Sequence, residues 1–413
     1  MNSRERVIEA VNFRKPDRVP VDLGGIRASG INAVVYDQLK KRMGIYTPTK
    51  IHDSMQILAE LEMEVLDRLH VDVVPLEAAT AKWAEQDAAE GVERELFCGL
   101  KVHFPPNTKI AVEPDGNWVL CGQDDKPYAR MPKDGLYFDF IRTTLSGHTI
   151  NPDAFKPRTV VPDEELDVMA ARSEYLYENT DKAILGWGAS ISMMGLSALL
   201  SENITQGSLD EWLCMLMVEK DTANEMMSRY VDATISCMKM YHQAVGDRCF
   251  AWGVASDDAG TQRSELIAPQ LFEEMIIPHY KRVCDWVHEN TGWKTYLHSC
   301  GSVYNYIQHW IDAGIDILNP VQISAVNMDP ERLQREFGGK IVFWGGGCDT
   351  QRVLPLGTPS EIREHVRKNI DIFGRDGGFV FTQVHNIQQN VPVENVEAMF
   401  DAVYEFGAVD SNI

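Results

Sequence analysis

Thr295-Tyr296-Leu297-His298-Ser299-Cys300-Gly301 reads as a short buried strand that ends abruptly in a His-x-Cys pair and a glycine. A second strand of the same kind, Ile341-Val342-Phe343-Trp344, runs into Gly345-Gly346-Gly347 and then Cys348. Both stretches are apolar to the last residue and then turn reactive. Whether the chain repeats this arrangement decides the fold.

It does, in both directions. Downstream of the first strand, residues 303–313 have a helical pattern and 315–318 form a strand. A helix over 330–337 leads to the 341–344 strand, and a helix over 360–373 to a strand at 378–381. Residues 393–406 make the closing helix. Upstream, a helix over 269–291 follows a strand at 249–254. Helices over 209–218 and 220–246 follow a strand at 183–187. Earlier strands fall at 71–76 and 19–23, with helices at 31–43 and 51–70. The chain opens with a helix that Asn2 can cap, with Glu5 three residues on and Val7, Ile8 and Val11 as its apolar stripe. Eight short apolar strands alternating with helices are what a (β/α)8 barrel, the TIM-barrel architecture, demands. An open doubly wound sheet is the competing arrangement. However, no Gly-x-Gly-x-x-Gly follows any strand.

The barrel reading carries an internal check, because barrel active sites lie where strands end and loops begin. The fourth strand exits into Ser256-Asp257-Asp258, the fifth into His298-Ser299-Cys300, and the sixth into Asn319-Pro320-Val321-Gln322. The seventh exits into Gly347-Cys348-Asp349, and the eighth into Gln383-Val384-His385-Asn386. Five consecutive exits meet the expectation.

From about residue 78 to 162 the character changes to Asp, Lys, Gly and Pro, with turns at Glu113-Pro114-Asp115-Gly116-Asn117 and Pro132-Lys133-Asp134-Gly135. This stretch reads as a β-hairpin-bearing insertion, a lid or an oligomer contact, in an otherwise single domain spanning 1–413. The formal net charge of −22 over 413 residues argues against a nucleic-acid partner. Residues 183–200 carry no charge, but three Gly, three Ser and no flanking basic cluster argue against a membrane span. The eight cysteines are neither dense nor regularly spaced, and residues 1–25 hold no apolar signal-like run. A cytoplasmic location with reduced thiols is the expectation.

Thiolate and imidazole suit zinc, and a catalytic zinc takes three protein ligands and keeps a fourth position open. His298, Cys300 and Cys348 supply that number from strand ends. The same letters also suit ordinary buried thiols. Asp257 and Asp258 form a carboxylate pair for general base or orienting work, with one of them facing the cavity. His385 is placed for a catalytic role in the pocket. Asn319, Gln322, Gln383 and Asp22 are candidates for substrate binding, and the two amides at the sixth exit equally suit tying down the loop. Asp72 either faces the mouth or pairs with a basic residue.

Arg14-Lys15-Pro16-Asp17-Arg18-Val19-Pro20-Val21, His298-Ser299-Cys300-Gly301-Ser302, Asn319-Pro320-Val321-Gln322, Gly347-Cys348-Asp349-Thr350-Gln351 and His385-Asn386-Ile387-Gln388 with Pro392 and Asn395 resemble the uroporphyrinogen decarboxylase superfamily. The matches run from the first helix to the last, leaving out the insertion, and imply a (β/α)8 barrel. The true decarboxylases of that superfamily use no metal and hold substrate carboxylates with an early Met-Arg-Gln-Ala-Gly-Arg segment. Here that place reads Val21-Asp22-Leu23-Gly24-Gly25-Ile26-Arg27, with one arginine left. The other branch, which resembles corrinoid-linked methyltransferases, binds zinc through His-x-Cys and a later Cys. His298, Cys300 and Cys348 match residue by residue.

The resemblance implies a zinc-dependent methyltransferase working with the cobalamin of a separate corrinoid protein. It moves a methyl group from a methylated, above all methoxylated, small substrate. The chain itself carries no Asp-x-His-x-x-Gly cobalamin motif. A homodimer is implied by resemblance alone. The alternatives are a methyl-corrinoid:thiol or pterin methyltransferase, a metal-independent decarboxylase and a non-catalytic binding barrel.

Overall fold

The computed structural model describes residues 1–77, 91–106, 108–122, 124–141, 152–195 and 209–408. Parts of the expected insertion (78–90, 107, 123 and 142–151) and the end of the uncharged 183–200 run lie outside the described residues. Among the described residues no helix is long and apolar enough to cross a membrane.

Seven strands form one parallel sheet. In sheet order they are Val73–Glu77, Ala183–Trp187, Cys249–Ser256, Lys294–His298, Ile317–Asn319, Val342–Trp344 and Phe379–Val380. The segment at 19–23 closes the ring. Val21 bridges Phe381 in parallel, with Phe381 N–H donating to Pro20 O and Asp22 N–H to Phe381 O, each at 2.8 Å. On its other side Asp72 N–H donates to Val21 O at 2.8 Å. The chain is therefore a (β/α)8-type barrel, as its strand and helix pattern predicts.

The strands are apolar on both faces because one face fills the barrel and the other meets the helices. Inside lie Val73, Leu185, Tyr296, Ile317, Val342 and Trp344, all buried in one cluster. Tyr296 meets Trp344 edge-on at 5.5 Å and Trp187 at 6.0 Å. Gly253 makes room for these rings, since a Cβ there would lie 2.0 Å from the Trp187 indole. The first helix, Ser3–Val11, has the reciprocal Asn2–Glu5 cap that its sequence predicts and adds Val7, Ala10 and Val11 to the same cluster.

Asp72 is the keystone of this end. Its carboxylate is fully buried and accepts from Arg6 Nη1 at 2.8 Å, from Arg18 Nη1 at 2.7 Å and Nη2 at 2.8 Å, and from Val21 N–H at 2.9 Å. One side chain thus joins the first helix, the first strand and the second. Of the two readings open for it, pairing with basic residues is the one observed.

Two helices depart from expectation. Residues 51–70 are not one helix: Thr49–Asp53 and Leu58–Ala59 are antiparallel strands, and only Met63–Arg68 is helical. Thr49–Asp53 pairs in parallel with Lys101–Phe104 of the hairpin region, a partner distant in sequence that outweighs the local helical pattern. The helix at 269–291 is broken into Pro269–Met275 and Ile277–Asn290, with Pro278 in the first turn of the second. The hairpin region forms a further antiparallel sheet of Lys109–Val112, Trp118–Cys121, Pro127–Met131 and Asp139–Phe140. Its predicted turn at 113–117 is closed by Glu113 N–H donating to Asn117 O at 2.8 Å.

Candidate metal centre at the barrel mouth

Ladder register sets the geometry. Ser256, His298 and Asn319 are aligned across the fourth, fifth and sixth strands, so their exits open at one level. His298, 7% exposed, presents Nδ1 to Asn319 Oδ1 at 2.7 Å, while Asn319 Nδ2 donates to Trp344 O at 3.0 Å. The Trp344 carbonyl can only accept, which fixes the amide and makes its Oδ1 the acceptor for Nδ1–H. The His298 Nε2 lone pair is left facing the mouth, 3.5 Å from Cys300 Sγ. Ligating histidines are commonly oriented in this way through their other nitrogen.

The loop carrying Cys300 is held from two sides. Cys300 N–H donates to Asp258 Oδ1 at 2.9 Å, and Gly301 N–H to Gln322 Oε1 at 2.7 Å. Gly301 has φ +97°, and a Cβ there would lie 2.4 Å from the Gly260 carbonyl. Only glycine lets the fourth and fifth exits approach so closely.

Side-chain donors of His298, Cys300 and His385 lie within 4.8 Å of one another. His385, expected as a pocket residue, thus occupies the place in the trio that the sequence reading gave to Cys348. Cys348 is fully buried at the seventh exit, bridged to Gln383, with Sγ 4.0 Å from the Asp349 carbonyl. A residue at the end of a neighbouring strand brings its backbone to the site, but its rotamer decides where the sulfur points.

The carboxylate pair divides its work. Asp257, 1% exposed, accepts from Met193 N–H at 2.9 Å, Met194 N–H at 2.7 Å, Gly195 N–H at 3.2 Å and Tyr280 Oη at 2.7 Å. Its oxygens are occupied in fastening the third exit to the fourth, so it positions a loop instead of offering a free base. Asp258 is the exposed member, with Oδ1 3.9 Å from His298 Nε2. The four expected substrate contacts are likewise buried and engaged. Asn319 orients His298. Gln322 holds the Gly301 amide and donates to Gln262 Oε1 at 3.0 Å. Gln383 donates to Ser29 O at 2.8 Å. Asp22 accepts from Trp344 Nε1 at 2.8 Å and Gly25 N–H at 2.7 Å.

Burial, then the Asp258 charge, pushes the Cys300 thiol well up. Burial, then its neighbour His298, lowers His385 to about 4, leaving its imidazole neutral with a lone pair to give. Burial also raises Asp22 and Asp257 to about 6.

Two predictions arise here. On the zinc reading expected from the sequence, Asn319→Ala should weaken zinc binding by about 10- to 100-fold while the Cys300 loop stays held, as read by chelator competition. Unchanged affinity would show that the Nδ1 contact does not orient the ligand. For Asp22, the folded pKa lies above the unfolded value of about 3.9, so its stabilising share is full below that value and fades as pH rises through about 6. Urea unfolding at pH 4 and pH 7 should show the native chain losing about 2 kcal/mol relative to Asp22→Asn. The opposite sign would mean that the Trp344 and Gly25 donors outweigh burial.

Near the first two strands lie charged side chains that the sequence reading gave no role in the site. Arg27 lies 3.4 Å from Asp53, and its charge reaches His385. His52 sits 3.3 Å from Glu60 and 3.8 Å from Glu77, the last residue of the second strand. Ending that strand one residue early concealed Glu77. All eight cysteines are free.

The family model for uroporphyrinogen decarboxylase (URO-D) matches residues 145–406. The chain belongs to this family. A curated uroporphyrinogen decarboxylase from Actinobacillus succinogenes is 46% identical to this family member over 48 residues. That match covers 12% of the chain and 14% of the relative. Among solved structures, a methyltransferase from Methanosarcina mazei superposes with a TM-score of 0.55 at 16% identity, covering 98% of this chain and 99% of that one. At that identity the similarity speaks for the fold.

Proposed function

We propose that this URO-D family member is a zinc-dependent methyltransferase that moves a methyl group between a methylated, typically methoxylated, small substrate and the cobalamin of a separate corrinoid protein. The observation that carries the reading is the convergence of the His298, Cys300 and His385 donors at the barrel mouth. The name of the Methanosarcina mazei neighbour points the same way.

The donor set fits zinc. His298 offers an oriented lone pair, Cys300 a sulfur in contact with it, and Cys348 a second sulfur on turning about its Cα–Cβ bond. Zinc held there would supply a Lewis acid to polarise the heteroatom that bears or accepts the methyl group. The protein's own part is placement. Asn319 and Asp258 hold the ligand loops, Asp257 and Tyr280 fasten the neighbouring exit, and the Gly301–Gly260 approach keeps two strand ends together. Asp258 sets a carboxylate beside the trio, with Oδ1 3.9 Å from His298 Nε2. The mouth above these groups is the face on which a corrinoid protein would dock.

The test loads the protein with zinc, counts the metal and follows the absorbance of a cobalamin-loaded corrinoid protein with a panel of methoxylated compounds. About one zinc per chain is expected, with transfer lost in Cys348→Ser. Full turnover by metal-free protein, or no transfer by zinc-loaded protein to any corrinoid partner, would overturn the reading.

A further inference from the structure

Building on that zinc reading, we infer that His385 closes the metal's coordination shell in the resting protein and yields its position when substrate arrives. The trio's geometry supports a bond. A tetrahedral ion with bonds of about 2.0–2.3 Å holds its N and S ligand atoms about 3.4–3.8 Å apart. His298 Nε2 and Cys300 Sγ already stand at 3.5 Å, and a His385 nitrogen lies within 4.8 Å of both. A small rotation of its ring completes the contact.

The surroundings of the two histidines differ in a way that assigns different tasks. His298 is locked through Asn319, which is itself locked by the Trp344 carbonyl. His385 makes no hydrogen bond to any described residue, and its nearest ring neighbour is His298, edge-on at 6.0 Å. Permanent metal-binding histidines almost always donate their second nitrogen to a partner. A histidine without one is the ligand most readily exchanged. Its backbone is firm, however. Val384 N–H donates to Cys348 O at 2.9 Å on one side. On the other, the Asn386 side chain takes Gly30 N–H at 2.9 Å and reaches Gln56 Oε1 at 2.5 Å. Exchange is thus a side-chain swing, with no loop movement required. With His298 and Cys300 in place and Cys348 turned toward the metal as proposed above, His385 fills the fourth position that a catalytic zinc keeps for substrate. The resting centre is then shielded from water until a competing heteroatom enters.

The test uses zinc-loaded full-length protein and X-ray absorption at the zinc edge, which distinguishes imidazole from sulfur ligands. Wild type should show both imidazoles. His385→Ala and His385→Asn should show a single imidazole, with zinc affinity down by about tenfold. Free imidazole should restore the second signal in His385→Ala and leave wild type unchanged. Titrating wild type with 2-mercaptoethanol, as a probe heteroatom, should replace one imidazole by sulfur. This last arm needs no variant, so it stands even where a substitution unfolds the chain. A single imidazole in zinc-loaded wild type, or a spectrum indifferent to His385 replacement, overturns the inference and leaves the zinc reading intact. Failure of wild type to take up zinc brings down both.

Discussion

Cys300→Ser should bind zinc more than about 100-fold more weakly than the native chain and lose methyl transfer with it. Loss of a partner that merely orients a ligand weakens metal binding by up to about 100-fold, and loss of a ligand exceeds that. Serine keeps the shape but not the chemistry, because its hydroxyl stays protonated where a zinc-bound thiol does not. The loop should be untouched: the bond to Asp258 comes from the backbone N–H of residue 300, and the bond to Gln322 from that of Gly301. Metal-free Cys300→Ser should therefore melt close to metal-free wild type, within about 1 kcal/mol. Zinc affinity by chelator competition and calorimetric melting of both apo forms check the two halves. A variant with native zinc affinity would remove Cys300 from the centre.

Asp72→Ala should be the most destabilising single change at the opposite end of the barrel, by about 3–5 kcal/mol. Breaking a buried ion pair by removing one partner leaves the other charge without compensation. Here two guanidiniums lose it together, and so does the Val21 N–H. Arg6 keeps Asp17 at 2.6 Å, and Arg18 keeps the His70 and Val19 carbonyls, so the loss is not total. Denaturant unfolding of the variant measures it, and a loss below about 1 kcal/mol would refute the keystone role. Because the mouth is far along the strands from Asp72, chains that do fold should bind zinc as wild type does.

The barrel was legible because parallel strands buried on both faces leave an unmistakable apolar run, and because reactive letters repeat at their ends. His298, Cys300, Asp258 and His385 were all legible as exit residues for that reason. Their division of labour was not. Nothing local says that Asn319 will find the Trp344 carbonyl, that Gln322 will hold Gly301, or that Asp257 will be consumed by three amides from the third exit. Those partners come from neighbouring strands, and a buried polar group is assigned by whatever tertiary partner satisfies it. The misread 51–70 stretch fails for the same cause: Thr49–Asp53 becomes a strand only because Lys101–Phe104 lies beside it. Cys348 and His385 mark the finest limit. Strand pairing sets Cys348 beside Gln383, two residues before His385, yet only side-chain direction tells which donor reaches the trio.

The closure of the ring through Val21 has a consequence for biosynthesis. Its partner is Phe381, and Val19 N–H bonds Gly407 O at 2.9 Å, so the first strand waits on residues far downstream that are made long after it. Until then the growing chain presents the Val21 side of the first strand as an open sheet edge, with the apolar barrel lining exposed. Contacts between segments this distant in sequence form slowly, and unpaired edges invite aggregation. Cotranslational chaperone capture of this nascent chain should therefore persist until the Val393–Phe406 helix emerges.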